Sequence, residues 1–241
     1  MASPALTAAL HRVDAVFGGM TAPADGCTYC YGEADLALLA VPGAPLGDGL
    51  LLRFFHKAPD HFEDHPAVVR RLLPDVFRLI ADGRCGLLWT PNGLGRAEWR
   101  TWPDEQVAAI AGFLDVWWRE TLADPAPAGG VGPVWELCVD MHRSLAPVHD
   151  VWAAVPRGGT EDRHLADWIA YRIEDLLNDD LWVLPLEMTE HLPELRSWLV
   201  EHAPARLTAH PDPLLARKVA LLALGEEERW VAYSELIASA G

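Results

Sequence analysis

The chain has 241 residues, enough for one large hydrophobic core or two modest ones. Hydrophobic residues make up 51% and charged residues 22%, a globular composition and not a disordered one. The formal net charge of −16 opposes phosphate backbones and anionic membranes, so nucleic acid and membrane are not expected partners, whereas a basic protein or peptide is.

In chain order, residues 4–18 carry Leu6, Leu10, Val13 and Phe17 at spacings of three and four, which predicts an amphipathic helix ended by Gly18-Gly19. Residues 21–32 hold Cys27 and Cys30 in a loop. A short apolar helix is expected over 33–41, stopped by Pro42-Gly43. Asp48 is an N-cap candidate for a helix bearing Leu51, Leu52, Phe54 and Phe55. Asp64-His65-Pro66 opens the next helix, with Pro66 in the first turn and Pro74 expected to kink it further on. A Gly-rich connection over 83–96 leads to Trp102-Pro103-Asp104-Glu105, where proline and acids suit a helix start.

Residues 125–133, rich in proline and glycine, read as a linker between an N-terminal half, 1–124, and a C-terminal half, 134–241, or as a connection inside one continuous domain. Helices are expected there over 134–145, 147–155, 162–177, 192–201, 213–224 and 226–238. Strand signals are confined to Leu87-Leu88-Trp89 and Trp182-Val183-Leu184. The pattern predicts an all-α fold, either an irregular multi-helix bundle or a HEAT-like helical stack. No apolar run approaches the roughly 20 residues that span a bilayer. Met1-Ala-Ser-Pro-Ala-Leu lacks a basic stretch followed by an apolar one, so a cytoplasmic location is expected.

The four cysteines stand at 27, 30, 85 and 138, too sparse for a disulfide framework. Cys27-Thr28-Tyr29-Cys30 lets two sulfurs face one centre, the half-site of a zinc knuckle. No second cysteine pair completes it. His61 and His65 have the three-residue gap of paired ligands, with His56 as an alternative, so zinc on Cys27, Cys30, His61 and His65 is one reading. A thiol–disulfide pair is a second, although no βαβ context supports it. Thiols without chemistry are the third. Pro59-Asp60-His61-Phe62-Glu63-Asp64-His65 also reads as a capping turn, with carboxylates facing a helix N-terminus.

Three stretches carry a resemblance. They are Gly26-Cys27-Thr28-Tyr29-Cys30-Tyr31-Gly32-Glu33-Ala34-Asp35-Leu36, Pro59-Asp60-His61-Phe62-Glu63-Asp64 with the following Arg70-Arg71-Leu72 and Pro74, and Glu98-Trp99-Arg100-Thr101-Trp102-Pro103. Together they resemble an actinobacterial family of uncharacterised helical proteins with an N-terminal Gly-Cys-x-x-Cys loop. Where that family tends to have Trp-Asp-Asp, this chain has Phe62-Glu63-Asp64. The resemblance ties the cysteine loop to the 59–64 turn and implies no reaction.

Elsewhere, Glu161-x-x-His164 has the i, i+3 spacing of di-iron ligands in helical bundles, for which Glu136 and Glu190 would be the further carboxylates. Helix capping explains Glu161 equally. No nucleophile elbow or phosphate loop is present in the sequence. Of the 11 tryptophans, Trp102, Trp117 and Trp118 gather around one helix. Adjacent Trp117 and Trp118 are not expected to share one core stripe, so one of them is an exposed partner anchor or both lie between two helix layers. Two functions follow: a protein- or peptide-binding helical module with a structural zinc, or a metal-dependent enzyme using a Cys/His zinc site or a carboxylate–His iron site. A disulfide-switched regulator is the weaker third.

Overall fold

The computed structural model describes residues 3–84, 93–178, 184, 186–208 and 210–239. The first expected strand, 87–89, lies outside the described residues, as do two of the three residues of the second, 182–184. Among the described residues the protein is all-α, with twelve α-helices and a single isolated β-bridge, Gly26 to Phe62.

Helix α1 runs Pro4–Phe17. Ser3 caps it by accepting from the Leu6 N–H at 3.0 Å, and proline fills the first turn, where its missing N–H costs nothing. Helix α2, Glu33–Ala37, continues as a 3-10 turn, Leu38–Ala40. Helix α3 is Asp48–Phe55, with Gly47 and not Asp48 at the cap position. Helix α4, His65–Ala81, is capped by Asp64, whose carboxylate accepts from the Ala67 N–H at 2.9 Å. It continues through Pro74 as one helix, with that proline buried in its core face. Helices α5, Gly93–Arg96, and α6, Asp104–Ala123, follow around a 3-10 turn at Trp99–Thr101. Then come α7 Val131–His142, α8 Ala146–Ala154, α9 Thr160–Leu177, α10 Leu192–His202, α11 Leu214–Leu221 and α12 Glu226–Ala238.

The chain forms two compact units. The first comprises Met1–Glu120 with Ala128–His142; the second comprises Thr121–Pro127 with Arg143–Gly241. In the first, α4 packs against α1, α3 and α5. Its buried Val69, Leu72, Val76 and Ile80 recur at helical spacing, and Phe77 stacks on Phe113 of α6 with ring centroids 4.0 Å apart.

The sequence places residues 134–142 with the C-terminal half, but α7 belongs to the first unit. The physical reason is the contact between α7 and the 93–100 region. The Trp99 indole N–H donates to the Met141 carbonyl at 2.7 Å, and the Arg100 guanidinium donates to the His142 carbonyl at 3.2 Å. Gly95 lies so close to α7 that an added Cβ would stand 2.4 Å from the Asp140 carbonyl oxygen. That obstacle is helix backbone, which cannot swing aside. Gly95→Ala is therefore expected to destabilise the protein by roughly 1–3 kcal/mol. Urea unfolding checks it, and a change under about 0.5 kcal/mol would contradict the close approach.

In the second unit α9 packs on α11, which also meets α10 and α12. Arg206 is buried there. It donates to the Asp162 carboxylate at 2.6 Å and to the Ala153 and Val155 carbonyls at 3.0 and 2.9 Å. The other oxygen of Asp162 accepts from the Gly158 N–H at 2.6 Å. One guanidinium thus ties the start of α9 to the end of α8.

Candidate metal centre

The cysteine loop has little secondary structure of its own and is held by the first unit's 3-10 turn, Pro59–His61. The Cys27 N–H donates to the His61 carbonyl at 2.9 Å, beside the Gly26–Phe62 bridge. Glycine suits the close approach at 26: a Cβ would push a Leu36 methyl at 2.8 Å and crowd the His61 carbonyl at 3.2 Å. The far end of the loop is pinned by Tyr31, 3% exposed, whose ring packs on Phe54 and Phe62 at 4.6 and 5.7 Å. Its hydroxyl donates to the Arg53 carbonyl at 2.7 Å. Desolvation in that aromatic nest pushes the Tyr31 hydroxyl pKa well above its ordinary value.

Between these two anchors the chain turns back on itself. The Cys30 and Tyr31 N–H groups donate to the Cys27 carbonyl at 3.0 and 3.1 Å. Cys27, Cys30 and His61 then present two sulfurs and a ring nitrogen within 4.8 Å of one another, all three residues half-exposed. The Cys30 Sγ stands 3.6 Å from His61 Nδ1. The His61 side chain, the Cys30 N–H, the Cys30 thiol and the Tyr29 N–H all hydrogen-bond Cys27, and they pull its thiol down to about 7. The arrangement favours thiolate, the form that binds metal.

The expected ligands separate at this point. His61 joins the cysteines; His56 and His65 are not in the group. His65 is the first residue of α4, 4% exposed, with its ring 6.2 Å from that of Phe62. Its Nε2 lies 3.4 Å from where a Cβ on Gly93 would stand. His56 is half-buried at the end of α3. Burial lowers the pKa of both rings. The turn serves two ends: Asp64 caps α4, while His61, three residues earlier, faces the cysteine loop.

Trp102, Trp117 and Trp118 are 6%, 6% and 2% exposed, so none is an exposed anchor. Of the two alternatives for Trp117 and Trp118, burial of both is the one observed, and the buried face of α6 is wide enough to take them. Ala109, Ile110, Phe113, Leu114, Trp117 and Trp118 are all buried, and at roughly 100° per residue they sweep an arc of roughly 180°. Arg70 lies over the Trp102 ring at 4.1 Å. The exposed tryptophan among the described residues is Trp230 on α12, 61% exposed beside Val231 at 56%. The three preceding exposed glutamates, Glu226 to Glu228, form the acidic first turn of its helix. Among the described residues, Glu161, His164, Glu136 and Glu190 are in no group of three or more mutually close donors, although His191 pairs with Glu194 at 2.9 Å and with Glu190 at 3.8 Å. His164 instead bonds the Asp124 carbonyl at 2.8 Å.

The fold and this donor group define an all-α protein with a Cys/Cys/His group that could hold a metal ion. No helix among the described residues is long and apolar enough to cross a membrane. No protein-family model matches the chain, and no curated protein or solved structure matches it.

Proposed function

We propose that the protein is a helical protein-binding module whose cysteine loop is stapled to the 59–62 turn by a zinc ion on Cys27, Cys30 and His61. One observation carries this reading. Tetrahedral zinc with Zn–S near 2.3 Å and Zn–N near 2.0–2.1 Å has a sulfur-to-nitrogen edge of about 3.5 Å. The Cys30 Sγ to His61 Nδ1 distance is 3.6 Å, so the pair already has the spacing of a shared ion. The depressed Cys27 thiol supports it, because thiolate is the ligand. A reducing compartment, as expected of cytoplasm, keeps both sulfurs available. The exposed Trp230 and Val231 support the binding role.

Metal analysis after purification without chelators is expected to find one zinc per chain. Cys27→Ser and His61→Ala are expected to abolish it. Where free zinc exceeds Kd by about one hundredfold, chelation lowers stability by about 2.7 kcal/mol. No stoichiometric metal, together with unchanged stability of Cys27→Ser, would sink the zinc reading. A second reading, a metal-dependent enzyme, is favoured by a different observation: the donor group holds three residues, the ligand count of catalytic zinc.

A further inference from the structure

We infer that the fourth coordination position of this zinc is a docking point for a histidine side chain presented by a basic segment of a partner protein. The inference rests on the zinc reading above.

Zinc in a protein takes four ligands, and a site with three protein donors keeps one position open. Among the described residues, the group of mutually close histidine, cysteine, aspartate and glutamate donors ends at Cys27, Cys30 and His61. His56 and His65, the nearest further histidines in sequence, are not in it. The open side is accessible. All three donors are half-exposed, and Tyr29, between the cysteines, is 98% exposed.

Charge selects what enters. Two thiolates and a neutral imidazole cancel the double charge of zinc, so the centre itself does not attract an anion. Its rim repels one. Asp25, Glu33, Asp60, Glu63 and Asp64 are exposed within three residues of a donor, against Lys57 as the neighbouring cation. Arg53 is paired with Asp35 at 3.3 Å. A neutral nitrogen donor is therefore favoured over an anionic ligand, and imidazole is the side-chain nitrogen donor that suits zinc. A histidine flanked by lysine or arginine adds attraction to the acidic rim.

Cobalt(II) in place of zinc reports this directly, because its visible bands respond to the ligand set. The cobalt-loaded full chain is titrated with imidazole, with sodium azide, and with end-blocked Lys-His-Lys and Lys-Ala-Lys peptides. Lys-His-Lys is expected to shift the visible bands at about one-tenth the concentration that imidazole needs, an advantage that shrinks with added salt. Azide and Lys-Ala-Lys leave the bands unchanged at those concentrations. Cys85→Ser leaves the unliganded spectrum unchanged.

Equal response to imidazole and Lys-His-Lys would overturn the basic partner, and a response to azide at imidazole's concentration would overturn the selection by charge. No response to any probe, or loss of sulfur-to-cobalt intensity in Cys85→Ser, would mean a closed site and overturn the proposal. Failure of the zinc reading looks different. In that case no sulfur-to-cobalt bands form, or they survive Cys27→Ser, and the docking proposal falls with it.

Discussion

Replacing Asp162 with alanine is expected to destabilise the protein by about 3–5 kcal/mol, several times the effect of removing an acid from the surface. The partner left behind decides the size. Arg206 keeps its charge, its side chain is 4% exposed, and it loses the carboxylate at 2.6 Å. Its two remaining carbonyl acceptors, Ala153 and Val155, carry no charge to balance it. The Gly158 N–H loses its acceptor as well. Asp115→Ala is the control: its pairing with Arg119 has both side chains about half exposed and is worth roughly 0–1 kcal/mol. Urea unfolding of the full chain, followed by tryptophan fluorescence, measures both. An Asp162→Ala loss near that of Asp115→Ala would mean that the ion pair is solvated. Arg206→Met separates charge from packing. On the Asp162→Ala background it removes the uncompensated cation, so the double variant is expected to cost less than Asp162→Ala alone.

That ion pair also shows where sequence reading stops. Asp162 and Arg206 are 44 positions apart, and each has the look of an ordinary solvated charge beside other charges. The helices themselves were legible. Their apolar spacing is local, and proline, glycine and capping residues mark their ends, as Asp64 and Pro103 illustrate. The unit that claims α7 was not legible. The Asp124–Pro133 run has linker composition, yet allegiance is set by Trp99 and Gly95 meeting α7 from far back in the chain. At the metal centre, residue type and spacing pointed to the cysteines and to the 56–65 histidines. Choosing His61 over His65 depends on one isolated bridge and on a helix beginning at residue 65. A single bridge leaves no alternating pattern to read. Sequence spacing leaves Trp117 and Trp118 either split or both buried, and the width of the buried face of α6 decides for burial of both.

Acid is expected to weaken both units well above the pH at which ordinary carboxylates titrate. His142 in the first unit is held neutral, its pKa pushed down to about 4. Burial is the main cause; the nearby Arg100 adds to it and Asp115 opposes it. The guanidinium of Arg100 stands 3.0 Å from His142 Nδ1, where it leaves no room for a second positive charge. His149 in the second unit is pushed down to about 3 by burial and then by His202. Its ring stacks on Trp198 at 4.3 Å, and the His202 ring lies 5.1 Å from the same indole. Unfolding restores both imidazoles to a pKa near 6.5. The unfolded chain therefore binds more protons than the folded one below that value, and stability falls as pH falls. The full contribution is present above about pH 6.5 and is lost between there and the folded pKa of each ring, at about 1.4 kcal/mol per pH unit per histidine. Between pH 6.5 and 5 each accounts for about 2 kcal/mol. His56 and His65, also kept neutral by burial, act in the same direction. The measurement belongs on Cys27→Ser, so that release of metal in acid adds nothing. Urea unfolding at pH 7, 6 and 5 is expected to show the decline, and His149→Gln is expected to remove its own share of the slope. Stability that stays flat over this range would mean that neither ring is held neutral, and that the buried positions of His142 and His149 admit a charge.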